Sequence, residues 1–343
     1  MSVCARGRRD RGKSLSKLKT LGMAKKTVIA VNAALRSGVW ASVKAFKASR
    51  TLSGRVRESS FPFVSGDTFR ALAGTVLDKG MIGEIALGGV TGTSKNIVFA
   101  EIGFLEAPDR PREFLKTLRQ LNDADQPATV VLHNGDKCPE TEFLEELARH
   151  TEGVFCLNAR DGIKGVTPLP IGLENLTLKR FGFVDDFLLR HDARRSPLRG
   201  PMPEERVNLF HLAFSTRTNP QARGHLLELA RRTRGLKNQV GSASKNRQSI
   251  LRSKFILCPP GNGPDTHRVW EAVYLGAVPV ILRGTIAPSI VDDLPILQVD
   301  DWLEVLEAQD EDLHAIFETQ RRADLTKAFF PYWAQRIQSA ARD

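Results

Sequence analysis

Ser253 to Leu282, SKFILCPPGNGPDTHRVWEAVYLGAVPVIL, reads as strand, glycine-rich turn, helix and strand. Phe255 to Cys258 is a short apolar run closed by Pro259-Pro260, the pattern of a buried parallel strand that stops abruptly. The chain then turns through Gly261-Asn262-Gly263. Two glycines there can take positive φ and expose backbone N–H groups, and a helix starting just beyond adds its positive dipole end. Such a turn cradles an anion, phosphate above all. On the helix, Arg268 and Glu271 are three residues apart and share a face, with Val269, Trp270, Val273 and Leu275 available for packing. Arg268 suits a bidentate phosphate contact and Glu271 the vicinal hydroxyls of a ribose. An ordinary Arg–Glu surface pair beside a tight turn satisfies the same spacing. Gly276 ends the helix and Val278 to Leu282 is the next strand.

Working outward, the segment from Ser249 to Leu282 resembles the donor-binding signature of exostosin-like glycosyltransferases: serine-lysine-phenylalanine, cysteine-proline, a glycine turn, arginine, tryptophan-glutamate-alanine, then glycine-x-x-proline-valine. The resemblance continues through Asp293 to Leu297, Asp301-Trp302 and Tyr332-Trp333. Upstream, His133-Asn134-Gly135-Asp136 and Leu169 to Asn175 are similar to weaker motifs of that family. In all it spans about residues 95 to 335, with its specificity in 249 to 282. Many members carry asparagine-serine-phenylalanine before the arginine, where this chain has Asp265-Thr266-His267; that departure bears on the donor sugar.

The resemblance implies an α/β architecture of two Rossmann-like domains facing a cleft, the GT-B arrangement. It also implies a nucleotide-sugar co-substrate, UDP-linked, and inversion at the anomeric centre. The residues agree with the architecture. Ile97 to Ala100, Thr129 to Leu132 and Gly153 to Leu157 read as buried strands, and Pro111 to Leu121 and Glu140 to His150 as helices. Alternation of this kind means parallel sheet. Arg194 to Glu205, rich in proline and arginine, reads as a linker, and Leu209 to Phe214 opens a second series. The expected organisation is a basic arm (1–57), an acceptor domain (58–205), a donor domain (206–325) and a C-terminal helix (326–343) packing back on the acceptor domain.

Site residues follow from these placements. Arg217 and Arg223 come just after a strand that runs into a polar turn, the edge where open α/β sheets bind ligands. The donor set is therefore Arg217, Arg223, Gly261, Asn262, Gly263, Asp265, Thr266, His267, Arg268 and Glu271. For the general base, His133 and Asp136 stand at the end of a strand in the first domain. No metal is expected: arginines and a helix N-terminus stabilise a departing diphosphate, and no Asp-x-Asp motif occurs. Asp292-Asp293 and Asp300-Asp301 read as turn or cap residues.

The formal charge of +11 divides unevenly. Residues 1 to 57 hold fifteen Lys or Arg and one acid, Asp10, while the remainder has 35 basic and 38 acidic residues, a net −3. Nucleic-acid binding across the folded body is thus not required. Within the arm, residues 1 to 22 lack an apolar face, whereas Val28, Val31, Leu35, Val39, Val43 and Phe46 recur at helical intervals. Three readings of the arm stand open: an amphipathic helix on anionic membrane that delivers the enzyme to a lipid-linked acceptor, a helix docked on the body, or an organellar transit segment. Met23 is an alternative start. Cysteines at 4, 138, 156 and 258 form neither a metal spacing nor a disulfide framework, which suits a reducing, cytoplasmic setting. Beside glycosyl transfer to a glycan or lipid-linked hydroxyl, the sequence admits a non-catalytic nucleotide-binding relative or a nucleic-acid-associated protein acting through its arm.

Overall fold

The computed structural model describes residues 48–50, 56–78, 96–123, 127–178, 184–188 and 206–341. The helical spacing from Val28 to Phe46, the Met23 start and the 194–205 linker lie outside the described residues.

The first series comprises β1 (Ala48–Arg50), β2 (Val56–Glu58), α1 (Gly66–Leu72), β3 (Thr75–Leu77), β4 (Ile97–Glu101), α2 (Ile102–Leu105), α3 (Arg110–Asp123), β5 (Thr129–His133), α4 (Thr141–Arg149), β6 (Gly153–Leu157), β7 (Val166–Leu169) and α5 (Val184–Leu188). The second comprises β8 (Asn208–His211), α6 (Pro220–Arg234), α7 (Ala243–Leu251), β9 (Ser253–Leu257), α8 (His267–Tyr274), β10 (Val278–Leu282), α9 (Pro288–Val291), β11 (Leu297–Val299), α10 (Trp302–Leu306), α11 (Asp310–Gln320) and α12 (Phe330–Ala340). Two parallel sheets result, ordered β3-β4-β5-β6-β7 and β11-β10-β9-β8. This is the α/β fold of two parallel-sheet halves expected from the sequence.

Sequential strand order has a physical consequence. Right-handed crossovers between neighbouring parallel strands put their helices on one face, and Phe114 and Leu118 of α3 and Leu144 and Leu147 of α4 do pack together on Val98, Ala100, Val130, Leu132, Val154 and Cys156. The other face, with Phe99, Val131 and Phe155, needs cover from elsewhere. It joins a cluster containing Phe69 of α1, Trp270 and Val273 of α8, and Phe330, Trp333 and Ile337 of α12. The chain's last helix thus covers a face that its own first series leaves open, and Trp270 and Tyr274 make that core common to both sheets. The alternation of β9 works the same way: Phe255 and Leu257 face α6 and α11, Ile256 the shared cluster.

The arm's expected end differs in one respect. β1 pairs antiparallel with β2, and Arg57 donates to Glu101 at 2.8 Å and lies 3.4 Å from Asp67. Both carboxylates are buried, so a counter-ion inside the body is required, and a charge counted with the arm supplies it.

Candidate functional site

The carboxyl ends of β5 and β9 deliver two turns that touch. After β9, Cys258 N donates to Val280 O and Gly261 N to Gly263 O at 3.0 Å. Neither Gly261 nor Gly263 is among the glycines with positive φ, which among the described residues are Gly162, Gly165, Gly172, Gly235, Gly276 and Gly284. The freedom to take positive φ is not used here; these two glycines serve close approach. A Cβ on Gly261 would lie 2.8 Å from Arg223 Nη2, and one on Gly263 would lie 2.7 Å from the Asp136 carbonyl oxygen.

The arginines are held differently from one another. Arg223, in the first turn of α6, donates through Nε to Pro260 O at 3.0 Å and through Nη1 to Ser215 O at 2.7 Å, with its guanidinium over the Phe214 ring. Two of its three nitrogens are spent on carbonyls, and Nη2 is turned to Gly261. Burial, and next the charge of Arg268, lower its pKa, so this corner holds two close cations. Arg268 pairs with Glu271 at 2.5 Å, and its Nη2 reaches Ala213 O at 3.5 Å. The intrahelical Arg–Glu pair allowed by the spacing is thus present, but Glu271 is buried and bonds through Oε2, with no hydrogen bond to Oε1 among the described residues. Thr266, the N-cap of α8, makes no side-chain cap bond; Val269 N donates to Thr266 O at 3.0 Å, which leaves the amides of His267 and Arg268 for another acceptor. Arg217 is exposed on a 3₁₀ turn, Thr216–Thr218, at the rim.

The segment between turn and helix binds the two halves together. Asp265 is buried, accepts from Ile171 N at 2.8 Å and from Trp270 Nε1 at 3.0 Å, and burial drives its pKa up to about 7. Its expected contact with the donor is corrected accordingly: both oxygens are committed to protein. His267 Nδ1 donates to Gly172 O at 2.8 Å. Asn262 is exposed, and its Nδ2 donates to Asp136 Oδ2 at 3.2 Å.

At the end of β5, His133 is buried beneath the turn. Its Nε2 bonds Pro170 O at 3.1 Å, which can only accept, so Nε2 carries the proton; Nδ1 then accepts from Asn134 N at 2.9 Å. Burial, the largest cause, lowers the imidazole pKa to about 4. With both nitrogens engaged, His133 does not fit the general-base role expected of it. Asp136 is exposed, and its carbonyl is held by Asn158 Nδ2 at 3.0 Å.

Asn134, at φ 57°, accepts from Asn175 Nδ2 at 3.0 Å and reaches Glu101 at 3.4 Å. Asn175 in turn accepts from Asp67 N at 2.9 Å. Asn134 and Asn175, with His133, Asp136, Leu178 and His267, line a cavity of about 370 Å³. Sequence reasoning missed Asn175 and Asn134 as site residues although both stand inside quoted motifs. Nothing marked Gly66, whose missing Cβ would fall 1.7 Å from Asn134 Oδ1. Among the described residues, no cluster of His, Cys, Asp and Glu could hold a metal ion. Asp301 caps α10, Asp300 pairs with Arg283 and Asp293 with Lys327, in keeping with the turn and cap reading.

Residues 187–305 match the family model described as the Exostosin GT47 domain, and over that span, which includes the glycine turn, Arg223, Arg268 and Glu271, the chain is exostosin-like as its motifs suggested. No curated protein matches the chain. Among solved structures, Anabaena HepE in complex with UDP-glucose is 13% identical, covers 71% of this chain and 78% of its own, and superposes with a TM-score of 0.35.

Proposed function

We propose, with the exostosin-like domain as premise, that the protein is a nucleotide-sugar glycosyltransferase. It moves a sugar from a nucleoside-diphosphate donor, UDP-linked on the family resemblance, to a hydroxyl of a glycan or lipid-linked acceptor, by direct displacement with inversion. One observation carries this reading: Arg223 is fixed by two carbonyls with Nη2 turned to the glycine turn, beside Arg268 and the uncapped start of α8. Cations held in place by the backbone need no reorganisation when a diphosphate leaves, so the charge that develops on it meets donors already aimed. That donor set supports departure of the diphosphate without a metal. Glu271 Oε1 is available to the ribose hydroxyls. The acceptor occupies the cavity at the end of β5, where Asn134 and Asn175 offer amide groups to sugar hydroxyls. Asp136, tied to Asn262, orients the acceptor at the junction of the two turns.

The test is calorimetric titration of uridine, guanosine and cytidine diphosphates in EDTA into wild type, Arg268→Ala and Glu271→Ala. Selective binding of one nucleotide, weakened in both variants, is the expected result. Binding that needs added divalent metal overturns the metal-free part, and no binding by folded wild type overturns the donor site itself. The basic arm, on this reading, brings the enzyme to an anionic membrane carrying the acceptor; deletion of residues 1–47, which spares the β1–β2 pair and Arg57, should then abolish co-sedimentation with phosphatidylserine vesicles.

A further inference from the structure

Two imidazoles reach the cavity wall and both are anchored to carbonyls of one short segment, Pro170 to Gly172. The anchoring atoms are opposite. His133 uses Nε2, and its remaining nitrogen is filled by the Asn134 amide. His267 uses Nδ1, toward Gly172 O at 2.8 Å. A carbonyl oxygen only accepts, so Nδ1 of His267 carries the hydrogen, and in the neutral ring Nε2 holds a lone pair. The ring's one hydrogen bond among the described residues is through Nδ1, and the ring lines the cavity.

A lone pair in that position is wrong for a phosphate oxygen, which it repels, and right for a hydroxyl proton. We infer that His267, placed by sequence among the donor-binding residues, is instead the general base that deprotonates the acceptor hydroxyl. The inference rests on the glycosyl-transfer reading and assigns a residue within it.

Position supports the chemistry. His267 is the first residue of α8, directly precedes Arg268 in the chain, and lines the cavity. Its anchor is rigid: Gly172 has φ 66°, and a Cβ there would fall 2.0 Å from Val64 O, so the carbonyl that holds the ring has a fixed direction. Two residues earlier, Asp265 accepts from Ile171 N at 2.8 Å. The second-sheet half thus carries the base, and the first-sheet half sets its tautomer and aim. Asp136, the alternative, has Oδ2 engaged by Asn262 and is exposed to water.

In the step itself, the acceptor O–H proton passes to Nε2, giving an imidazolium that keeps its Nδ1–H bond to Gly172 O. The acceptor oxygen forms its bond to the anomeric carbon as the bond from that carbon to the phosphate oxygen breaks. The electron pair leaves with the nucleoside diphosphate, beside Arg223 and Arg268, and the imidazolium afterwards returns its proton to water.

The experiment uses the full chain with a panel of uridine-diphosphate hexoses and pentoses and an array of glycan acceptors, reading uridine diphosphate release and, separately, uridine diphosphate binding. His267→Ala and His267→Asn are expected to bind uridine diphosphate as wild type does while kcat falls about 10²- to 10⁴-fold, and added imidazole is expected to restore part of the rate of His267→Ala. Nitrogen-15 spectra of the wild-type histidine rings are expected to show His267 as the Nδ1–H tautomer and His133 as the Nε2–H tautomer. A His267→Ala protein that binds normally and keeps kcat within about threefold overturns the base while leaving glycosyl transfer intact. Loss of uridine diphosphate binding in folded His267→Ala returns the residue to the donor site and also overturns it, as does an Nε2–H tautomer. Wild type that binds no uridine diphosphate overturns the transfer reading and the base together.

Discussion

The ends of β5 and β9 are the same element of an α/β fold, a parallel strand running into a turn, yet they are built from opposite chemistry. Around β5, polar groups are spent on each other below the surface: Glu101 and Asp67 on Arg57, His133 on Pro170 and Asn134, Asn134 on Asn175. Around β9, carbonyls hold cations instead, and nitrogens are left over: Arg223 is fixed by Pro260 and Ser215 with Nη2 remaining. The first edge is a shaped polar surface without a fixed cation, with Asp136 and Glu106 at the cavity wall, suited to hydroxyls. The second is a fixed positive corner suited to an anion. The difference shows that a sheet edge becomes a site through what its side chains have left after they have satisfied the backbone.

The sharpest way to break this contrast is to delete one cation. Arg268→Ala should weaken nucleoside diphosphate binding by about 10- to 150-fold, from loss of charged hydrogen bonds of about 1.5–3 kcal/mol, whereas Asp136→Asn should leave it within about threefold. Equal losses measured by calorimetry would mean that both edges hold the anion. Next in size, Gly263→Ala puts a Cβ 2.7 Å from the Asp136 carbonyl, backbone that yields poorly; urea unfolding should register about 1–3 kcal/mol of destabilisation.

A smaller, pH-dependent effect tests the pins between the edges. Asp265 keeps its proton in the folded state up to about 7, while an unfolded aspartate loses it near about 3.9. Between those values the folded chain binds more protons, so this group's contribution to stability falls as pH rises, by about 2 kcal/mol from about pH 5.5 to 7. His133 has the opposite sign. Its folded pKa of about 4 lies below the unfolded value, so its contribution is present above about pH 6.5 and is lost as pH falls through about 4. Asp265→Asn should flatten the upper window alone, and a profile unchanged from wild type would remove Asp265 from the balance. Smallest of all, Arg217→Ala at the exposed rim should change nucleotide affinity by at most about threefold, since water screens its charge.

Much of the second half was legible because its chemistry is local. The strand, turn and helix of 253–282 fall where apolar runs and breakers put them, Gly276 ends α8 at φ 69°, and Arg268 and Glu271 share a face because a helix turns every 3.6 residues. The glycine turn was legible in place and misread in cause, because the need for Gly261 and Gly263 comes from Arg223 and Asp136, which lie 38 and 127 residues away. Asp265 was misread for the same reason: its partner, the Ile171 amide, lies 94 residues upstream.

Sequence by itself determined the alternation of strands and helices, the two parallel sheets that follow from it, the concentration of positive charge before residue 58 and the exostosin-like signature, all of which depend on neighbours within a few turns of chain. Only tertiary structure decided which histidine keeps a lone pair. His133 and His267 are the same side chain beside similar polar residues, and the tautomer of each is set by which ring nitrogen a distant carbonyl, Pro170 or Gly172, happens to meet. Hydrogen-bond direction is a property of three-dimensional placement, and a linear pattern does not encode it.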